Sequence, residues 1–378
     1  MAWPPSRSKR RPASGIGGSA RIAGLLTPAH IRSNLLVKLG EWTAETHTLP
    51  MVLFAPTARC NSRCISCDWW RADGADDLTL GEIRGLADGL RHYGTRSVVF
   101  TGGEPLLRPD VMDIADLFRE RGFTLHLLTS GLALEKLAPA IAARFAEVTV
   151  SLDGHTPELY RAIRGVNGLD VVSAGLRRLR ACAPTLVIRA RTTVHRRNFR
   201  FLREITAKAL DLGVNQISFL PADVTSESFN RGRSLPLAGD TIEHEPPGLL
   251  LTAAETDDLA AIVESLIVTH ARDLAEGRIF PGPKRLRYLA EYYRAHLGLG
   301  PFPPVACNAP WTSVVIEANG ALRPCFFHAP VGNLRQRSLD DLLNLAMPAF
   351  RKQLNVAADS TCQRCVCTLK TNLRAQLW

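Results

Sequence analysis

The sequence predicts an α/β protein: a partial, TIM-like (β/α)6 barrel followed by a small C-terminal cysteine-rich α+β domain of hairpin plus helix. Three observations predict it. Short apolar runs at 51–55, 97–101, 124–129, 147–152, 186–194 and 216–220 alternate with helix-length segments at 79–93, 110–121, 133–144, 156–163 with 168–182, and 199–212. That is the rhythm of a parallel sheet with right-handed crossovers, and six units rather than eight leave the barrel open. The distinctive polar residues follow the ends of those runs, where parallel α/β proteins gather their chemistry. Five of the nine cysteines crowd into residues 307–367, beyond the barrel.

The 378 residues are 46% hydrophobic and 22% charged, ordinary for a core-forming chain. No run of eighteen apolar residues occurs, which excludes a transmembrane helix. Clustered cysteines point to metal ligation in a reducing compartment rather than a disulfide framework. A cytoplasmic address and no membrane partner are expected. The net charge is +10, but Arg7, Lys9, Arg10, Arg11, Arg21, Arg32 and Lys38 supply seven of it within residues 1–40, which hold no Asp or Glu. A basic arm on a near-neutral body is a weak signal for nucleic acid, and none is expected as partner.

Residues 1–20 read as a disordered basic tail. Residues 21–50 read as an N-terminal helical segment broken at Pro28, and 51–225 as the barrel. Residues 226–300 depart from the rhythm and read as a helical linker or lid. There Thr252 and Glu255 form a capping box for a helix to about 276, and a second helix at 284–297 carries Tyr292 and Tyr293 as packing residues. Both helices are placed over the barrel mouth. Cys182, on a helix, reads as a core thiol. Residues 301–378 form the cysteine-rich domain.

Directly after the first strand comes Cys60-x3-Cys64-x2-Cys67. Three thiolates in one loop can hold three corners of a [4Fe–4S] cluster that normally takes four, leaving one iron open to a small molecule. Zinc, the alternative, favours paired knuckles with a fourth ligand nearby. The second strand ends at Gly102-Gly103-Glu104-Pro105, whose glycines permit close backbone approach; an ordinary strand-to-helix turn would explain them equally well. The third strand ends at Thr129-Ser130-Gly131 and the fourth at Ser151-Leu152-Asp153-Gly154. The fifth sets Arg189, Arg191 and Thr193 on one face.

The cysteine loop and the Gly102–Pro105 turn together resemble the radical S-adenosylmethionine (SAM) superfamily, over about residues 50–225. The resemblance implies that Cys60, Cys64 and Cys67 hold a [4Fe–4S] cluster whose open iron chelates SAM. The cluster then passes an electron to the sulfonium, releasing a 5′-deoxyadenosyl radical that takes a hydrogen from the substrate. It implies that the Gly102–Pro105 backbone and Glu104 hold the amino group of SAM. An aromatic that contacts adenine usually stands one residue past the third cysteine; here Asp68 is in that place and Trp69 follows. Ser130 stands where the family often has Asn. The segment Ser151–Gly154 with Arg161–Gly165 resembles the family's peptide- and cofactor-modifying branch, which implies that Ser151 bonds the ribose or carboxylate of SAM. Asp153 joins that strand-end set, and Arg164 and Arg191 are candidates for the carboxylate.

Near the C-terminus, twelve residues separate Cys307 from Gly320 and four more separate Gly320 from Cys325. A hairpin on Asn319-Gly320 would bring Cys325 back beside Cys307. Cys362-x2-Cys365-x-Cys367 closes the set, which fits a zinc ribbon or a second [4Fe–4S] cluster. The pattern resembles the auxiliary-cluster domains called SPASM or twitch. A full SPASM pattern has seven cysteines and two clusters. The five here imply one auxiliary [4Fe–4S] cluster, most simply on Cys307, Cys325, Cys362 and Cys365, with Cys367 either spare or the true fourth ligand. His328 reads first as a packed or surface imidazole, with reach to this cluster or the substrate as the alternative, and Ser338 caps a helix over 339–346.

The expected function is radical SAM chemistry on a peptide: maturation by cross-linking, oxidation or epimerisation. A flavodoxin- or ferredoxin-type reductant is implied. Fifty residues before the barrel are too few for a leader-binding domain, so a separate leader-peptide recognition protein is expected, or else a small-molecule or carbohydrate substrate. A non-enzymatic iron–sulfur electron carrier or sensor would have no need of the Gly102–Pro105 turn.

Overall fold

Strand β1 (Met51–Phe54) is buried along its whole length and hydrogen-bonded on both edges. The computed structural model describes residues 28–226, 228–231, 248–367 and 369–370, and its strands all join the sheet that β1 anchors. From β1 the sheet runs through β2 (Ser97–Phe100), β3 (Thr124–Thr129), β4 (Glu147–Ser151), β5 (Val187–Val194) and β6 (Gln216–Pro221), each parallel to the last. These are the predicted strands to within one residue at either end. A two-residue strand β7 (Ile279–Phe280) extends the parallel run beyond β6. On the other side β8 (Ser313–Ile316) pairs in parallel with β1 and continues through β9 (Ala321–Arg323) to β10 (Gly332–Asn333), both antiparallel. No pairing joins β7 to β8 or β10 among the described residues, so the barrel is open.

The helices fall where sequence placed them. Helix α1 (Pro28–Thr43) supplies the N-terminal helical segment from Pro28 onward; the tail and residues 21–27, on the far side of Pro28, lie outside the described residues. The barrel helices are α2 (Leu80–His92), α3 (Val111–Glu120), α4 (Leu134–Arg144), α5 (Pro157–Arg164), α6 (Leu169–Cys182) and α7 (Leu202–Asp211). Their apolar faces pack on the outside of the sheet. Phe54, Phe100, Phe118 and Phe145 form a chain of rings 5.4–5.8 Å apart between β1, β2 and the helix layer. The residues of β5 alternate, the even ones buried against the helices and the odd ones turned to the lumen.

Two expectations change. Helices α8 (Ala253–Thr269), α9 (Ala271–Ala275) and α10 (Pro283–His296) do not roof the barrel mouth; α8 packs on α7 and α10 on β6, so they extend the outer layer past β6. The Thr252–Glu255 capping box is present at the start of α8. The reason is the apolar face of α10, which buries Leu286, Leu289, Tyr292 and Tyr293. The Tyr293 hydroxyl donates to Val194 O at 2.5 Å and accepts from Ala222 N at 3.0 Å, tying α10 to the ends of β5 and β6. Cys182 ends α6 exposed, not in the core. None of the helices described is long and apolar enough to cross a membrane.

Tyr293→Phe leaves Val194 O and Ala222 N without that partner. A destabilisation of about 1–3 kcal/mol is expected in urea unfolding; no change in midpoint would mean that water replaces the hydroxyl.

Candidate functional site

Gly102 and Gly103 do more than turn the chain. Gly102 has φ +104°, and a Cβ there would lie 2.5 Å from the Ala55 Cβ. A Cβ on Gly103 would lie 2.2 Å from Arg59 O and 2.6 Å from Ala58 O. The turn after β2 therefore packs backbone to backbone against the start of the cysteine loop, fixed by Gly103 N to Thr57 O at 3.2 Å and Glu104 N to Arg59 O at 2.7 Å. The loop is held from its other side by the end of α5, through Arg63 N to Arg164 O at 2.8 Å and Ile65 N to Ile163 O at 3.1 Å. Gly165, at φ +69°, lets that helix end approach Arg63.

So positioned, Cys60, Cys64 and Cys67 line one side of a cavity of about 220 Å³ at the carboxyl ends of the strands. Its other walls include Trp69, Gly102, Gly103, Ser130, Ser151 and Arg164, all singled out from sequence, and Thr193, from the strand-5 face. Burial holds the three thiols up, Cys60 to about 11. Desolvated thiols this close are poor acids alone, and a cation on which they share charge is what would make them thiolates together. The donor set fits an iron–sulfur cluster with one iron left facing the cavity.

The remaining candidates fall in other places. Glu104 is 1% exposed, and its carboxylate accepts from Thr129 Oγ1 at 2.8 Å, Ser130 N at 2.6 Å and Leu106 N at 3.2 Å. It pins the end of β3 to the turn. Pro105 is buried as the first residue of a short 3-10 turn. Asp153 is 3% exposed and forms a 3.0 Å ion pair with Arg164 while accepting from Thr193 N at 2.8 Å. It holds the Arg164 guanidinium at the cavity wall, where Cys64 and Cys60 are close enough to favour its charge. Trp69 also lines a second, open cavity of about 500 Å³ along residues 71–77 and the β8–β9 turn.

Arg191 stands in register with Ser151 and Ser218 but lines a different cavity. This one, about 90 Å³, is walled by all five C-terminal cysteines, Cys307, Cys325, Cys362, Cys365 and Cys367, and by His328. The hairpin forms as predicted, and pairing of β8 with β1 carries it against the lumen residues Met51, Leu53 and Leu128. Burial raises Cys325 to about 11 and pushes Cys362, Cys365 and Cys367 up as well; Arg191 opposes the rise at Cys367. His328 Nε2 lies 3.4 Å from the Cys362 sulfur, and Cys365 Sγ lies 2.9 Å from Cys367 O. Five convergent thiols exceed the four a cubane needs, so this set too fits an iron–sulfur centre.

Sequence reasoning missed several positioning residues. Phe229, at φ +62°, accepts from Asp68 N at 2.9 Å and packs over the loop. Asn198 donates to Asp153 O at 3.1 Å and Thr193 O at 2.9 Å, joining two strand ends. Val366, between Cys365 and Cys367, lines the first cavity. None carries a motif; an Asn four residues past the end of β5 is the only available signal.

Comparison with known proteins follows the same division. Residues 54–219 match the family described as "Radical SAM superfamily", and residues 307–366 match the one described as "Iron-sulfur cluster-binding domain", SPASM. A probable GTP 3',8-cyclase of Thermococcus kodakarensis is 37% identical over 32% of this chain and 40% of its own length. An AdoMet-dependent heme synthase of Methanosarcina barkeri is 30% identical over 45% of this chain and 50% of its own. The match thus spans half or less of these relatives. Among solved structures, Streptococcus suis SuiB bound to S-adenosylmethionine superposes with TM-score 0.61 at 13% identity, over 90% of this chain and 79% of that one. The protein anSMEcpe with bound AdoMet and Cp18Cys peptide gives 0.58 at 15%, over 84% and 86%. At these identities the likeness is one of fold.

Gly103→Ala must displace the Arg59 carbonyl. The variant is expected to fold less stably and to retain less than half the iron bound at the cysteine loop after anaerobic reconstitution; wild-type iron content would show that the turn can open without cost. In the metal-free protein at pH 8, Cys60 should alkylate at least about tenfold more slowly than exposed Cys182, because its raised pKa leaves little thiolate. Equal rates by peptide mapping would contradict the burial seen here.

Proposed function

From a chain that belongs to the radical SAM superfamily and carries a SPASM-type iron–sulfur domain, we infer an enzyme that oxidises or cross-links a peptide substrate. The radical SAM domain binds a [4Fe–4S] cluster and SAM, and the SPASM domain binds auxiliary iron–sulfur. Bound together, the first cluster and SAM supply a 5′-deoxyadenosyl radical able to take a hydrogen atom from carbon.

The chain's own residues supply placement. Cys60, Cys64 and Cys67 are the ligands we assign to the first cluster, and Gly102, Gly103, Ser130 and Ser151 line the space left for SAM. Arg164, held by Asp153, is the cation for its carboxylate, since it faces that cavity from a fixed ion pair. Trp69 is the aromatic candidate for adenine. Glu104 acts on SAM through the turn and β3 end that it fixes. Cys307, Cys325 and Cys362, with Cys365 or Cys367, are the ligands we assign to a single auxiliary centre.

The observation that carries the reading is that the two cavities share a wall. Leu128 lines both, and Val366 reaches the first from between two auxiliary cysteines. A substrate in the first cavity would lie beside a second redox centre, an arrangement suited to removing an electron after the hydrogen atom. For a peptide, support comes from the fold shared with SuiB bound to precursor peptide SuiA and with the Cp18Cys complex. The open 500 Å³ cavity continuing past Trp69 adds room for an extended chain. A small-molecule substrate is the second reading, favoured by relatives named as GTP cyclase and heme synthase.

Anaerobically reconstituted protein is expected to bind about eight irons and to release 5′-deoxyadenosine from SAM on reduction. Four irons with one zinc would remove the auxiliary centre, and full iron without 5′-deoxyadenosine would remove the enzyme. Deuterium passing into 5′-deoxyadenosine from a labelled precursor peptide supports the peptide reading; transfer only from a small metabolite supports the second.

A further inference from the structure

Residues 228–231 touch both halves of the site, tied in three places among the described residues. At the end of β6, the Arg231 guanidinium pairs with the Asp223 carboxylate and donates to Asp223 O. At the cysteine loop, Asp68 N donates to Phe229 O at 2.9 Å and Asn230 Nδ2 donates to Asp68 O at 3.2 Å. Beyond β9, the Ser228 hydroxyl donates to Phe326 O, and the Phe229 ring stacks on Phe326 and meets the edge of Phe327, with centroids 6.3 Å apart in each pair. Phe326 packs in turn on Met51, Leu53, Val99 and Val315 of β1, β2 and β8. Phe229 and Asn230 have φ of +62° and +63°. A bulky side chain is seldom found there, and it persists where its surroundings over-determine it. Those surroundings set the ring between two sites: Phe229 lines the first cavity, and Phe326 and Phe327 line the second.

We propose that Phe229 is a positioning residue through which the auxiliary hairpin closes the SAM cavity, so that SAM binds less tightly when the ring loses its seat on Phe326. The proposal rests on the reading that the first cavity holds SAM. Relaxing Phe229 or Asn230 to an ordinary negative φ would turn the ring away, and the seat on Phe326 opposes that. The barrel alone therefore does not complete the cavity. Its volume is only about 220 Å³, and an apolar ring in the wall keeps water out, which strengthens polar contacts to a ligand inside. The effect falls on SAM because the same four residues brace the loop that carries Cys67 and Trp69. Phe229 O lies 3.6 Å from the Cys67 sulfur and takes the Asp68 amide, so a displaced Phe229 releases that loop.

The test is a double-mutant cycle on SAM affinity, measured by equilibrium dialysis of anaerobically reconstituted protein, with iron content determined for each variant. Phe229→Ala and Phe326→Ala should each weaken SAM binding about fivefold or more at wild-type iron content. The double variant should be within about twofold of the worse single one, because both changes remove one contact. Phe229→Tyr, which keeps the ring, should restore affinity to within about twofold of wild type. Unmoved SAM affinity in iron-loaded Phe229→Ala would overturn the proposal, as would losses in the two single variants that multiply in the double one. Where any of these variants does not load iron, Ser228→Ala decides, since it removes the other tie to the hairpin. About a threefold loss of affinity with full iron supports the proposal, and unchanged affinity overturns it. A wild-type protein that holds iron at Cys60, Cys64 and Cys67 and does not bind SAM would instead overturn the reading on which the proposal rests.

Discussion

Pairing of β1 along both edges is the constraint on which the arrangement depends. One edge joins the barrel strands in order, and the other receives β8 in parallel, residue for residue from Met51 opposite Ser313 to Phe54 opposite Ile316. The cysteine loop leaves from the carboxyl end of β1, and the hairpin bearing Cys325 docks beside it. Two thiol sets from opposite ends of the sequence are thereby placed against one lumen. Neither set could be moved without breaking a central parallel ladder.

Burial then decides what the thiols can do. Neutral thiols are tolerable in an apolar cavity, but several thiolates without a cation are not. Burial raises the thiol pKa at Cys60, Cys64 and Cys67, and at four of the five cysteines of the second set. A bound metal centre would resolve that cost, and one arginine lines each cavity, Arg164 the first and Arg191 the second. At the first site the arginine is held by Asp153; at the second its Nε donates to the Ser218 hydroxyl.

Much of this was legible in sequence. The six barrel strands were, because each is an apolar run bounded by turn residues, and so was the cysteine loop, because thiol spacing reports a metal geometry directly. What was not legible depends on pairing across long stretches of chain. β7 is two residues long and has no periodicity to detect. That β8 extends the barrel sheet rather than forming a separate unit follows from an edge contact between residues 51–54 and 313–316. The same gap explains Arg191: the period of two placed it on the lumen face, but not at which height, and the cavity it meets is built by cysteines more than a hundred residues later. Cys182 failed for a simpler reason, since its place at the last turn of α6 says nothing of which side is covered. The glycines of the β2 turn were assigned to ligand approach, whereas their first duty is contact with the Ala58 and Arg59 carbonyls.

The central claim is that two separate thiol sets hold two centres, of which only the one at Cys60, Cys64 and Cys67 has an iron open to SAM. EPR spectra of the dithionite-reduced holoenzyme with and without SAM test it most directly, recorded also for a Cys307→Ala, Cys325→Ala double variant. The account predicts two overlapping signals in the wild type, of which SAM alters one, and that the altered signal alone survives in the variant. A spectrum that SAM leaves unchanged, or one in which the SAM-sensitive signal disappears with Cys307 and Cys325, would contradict it.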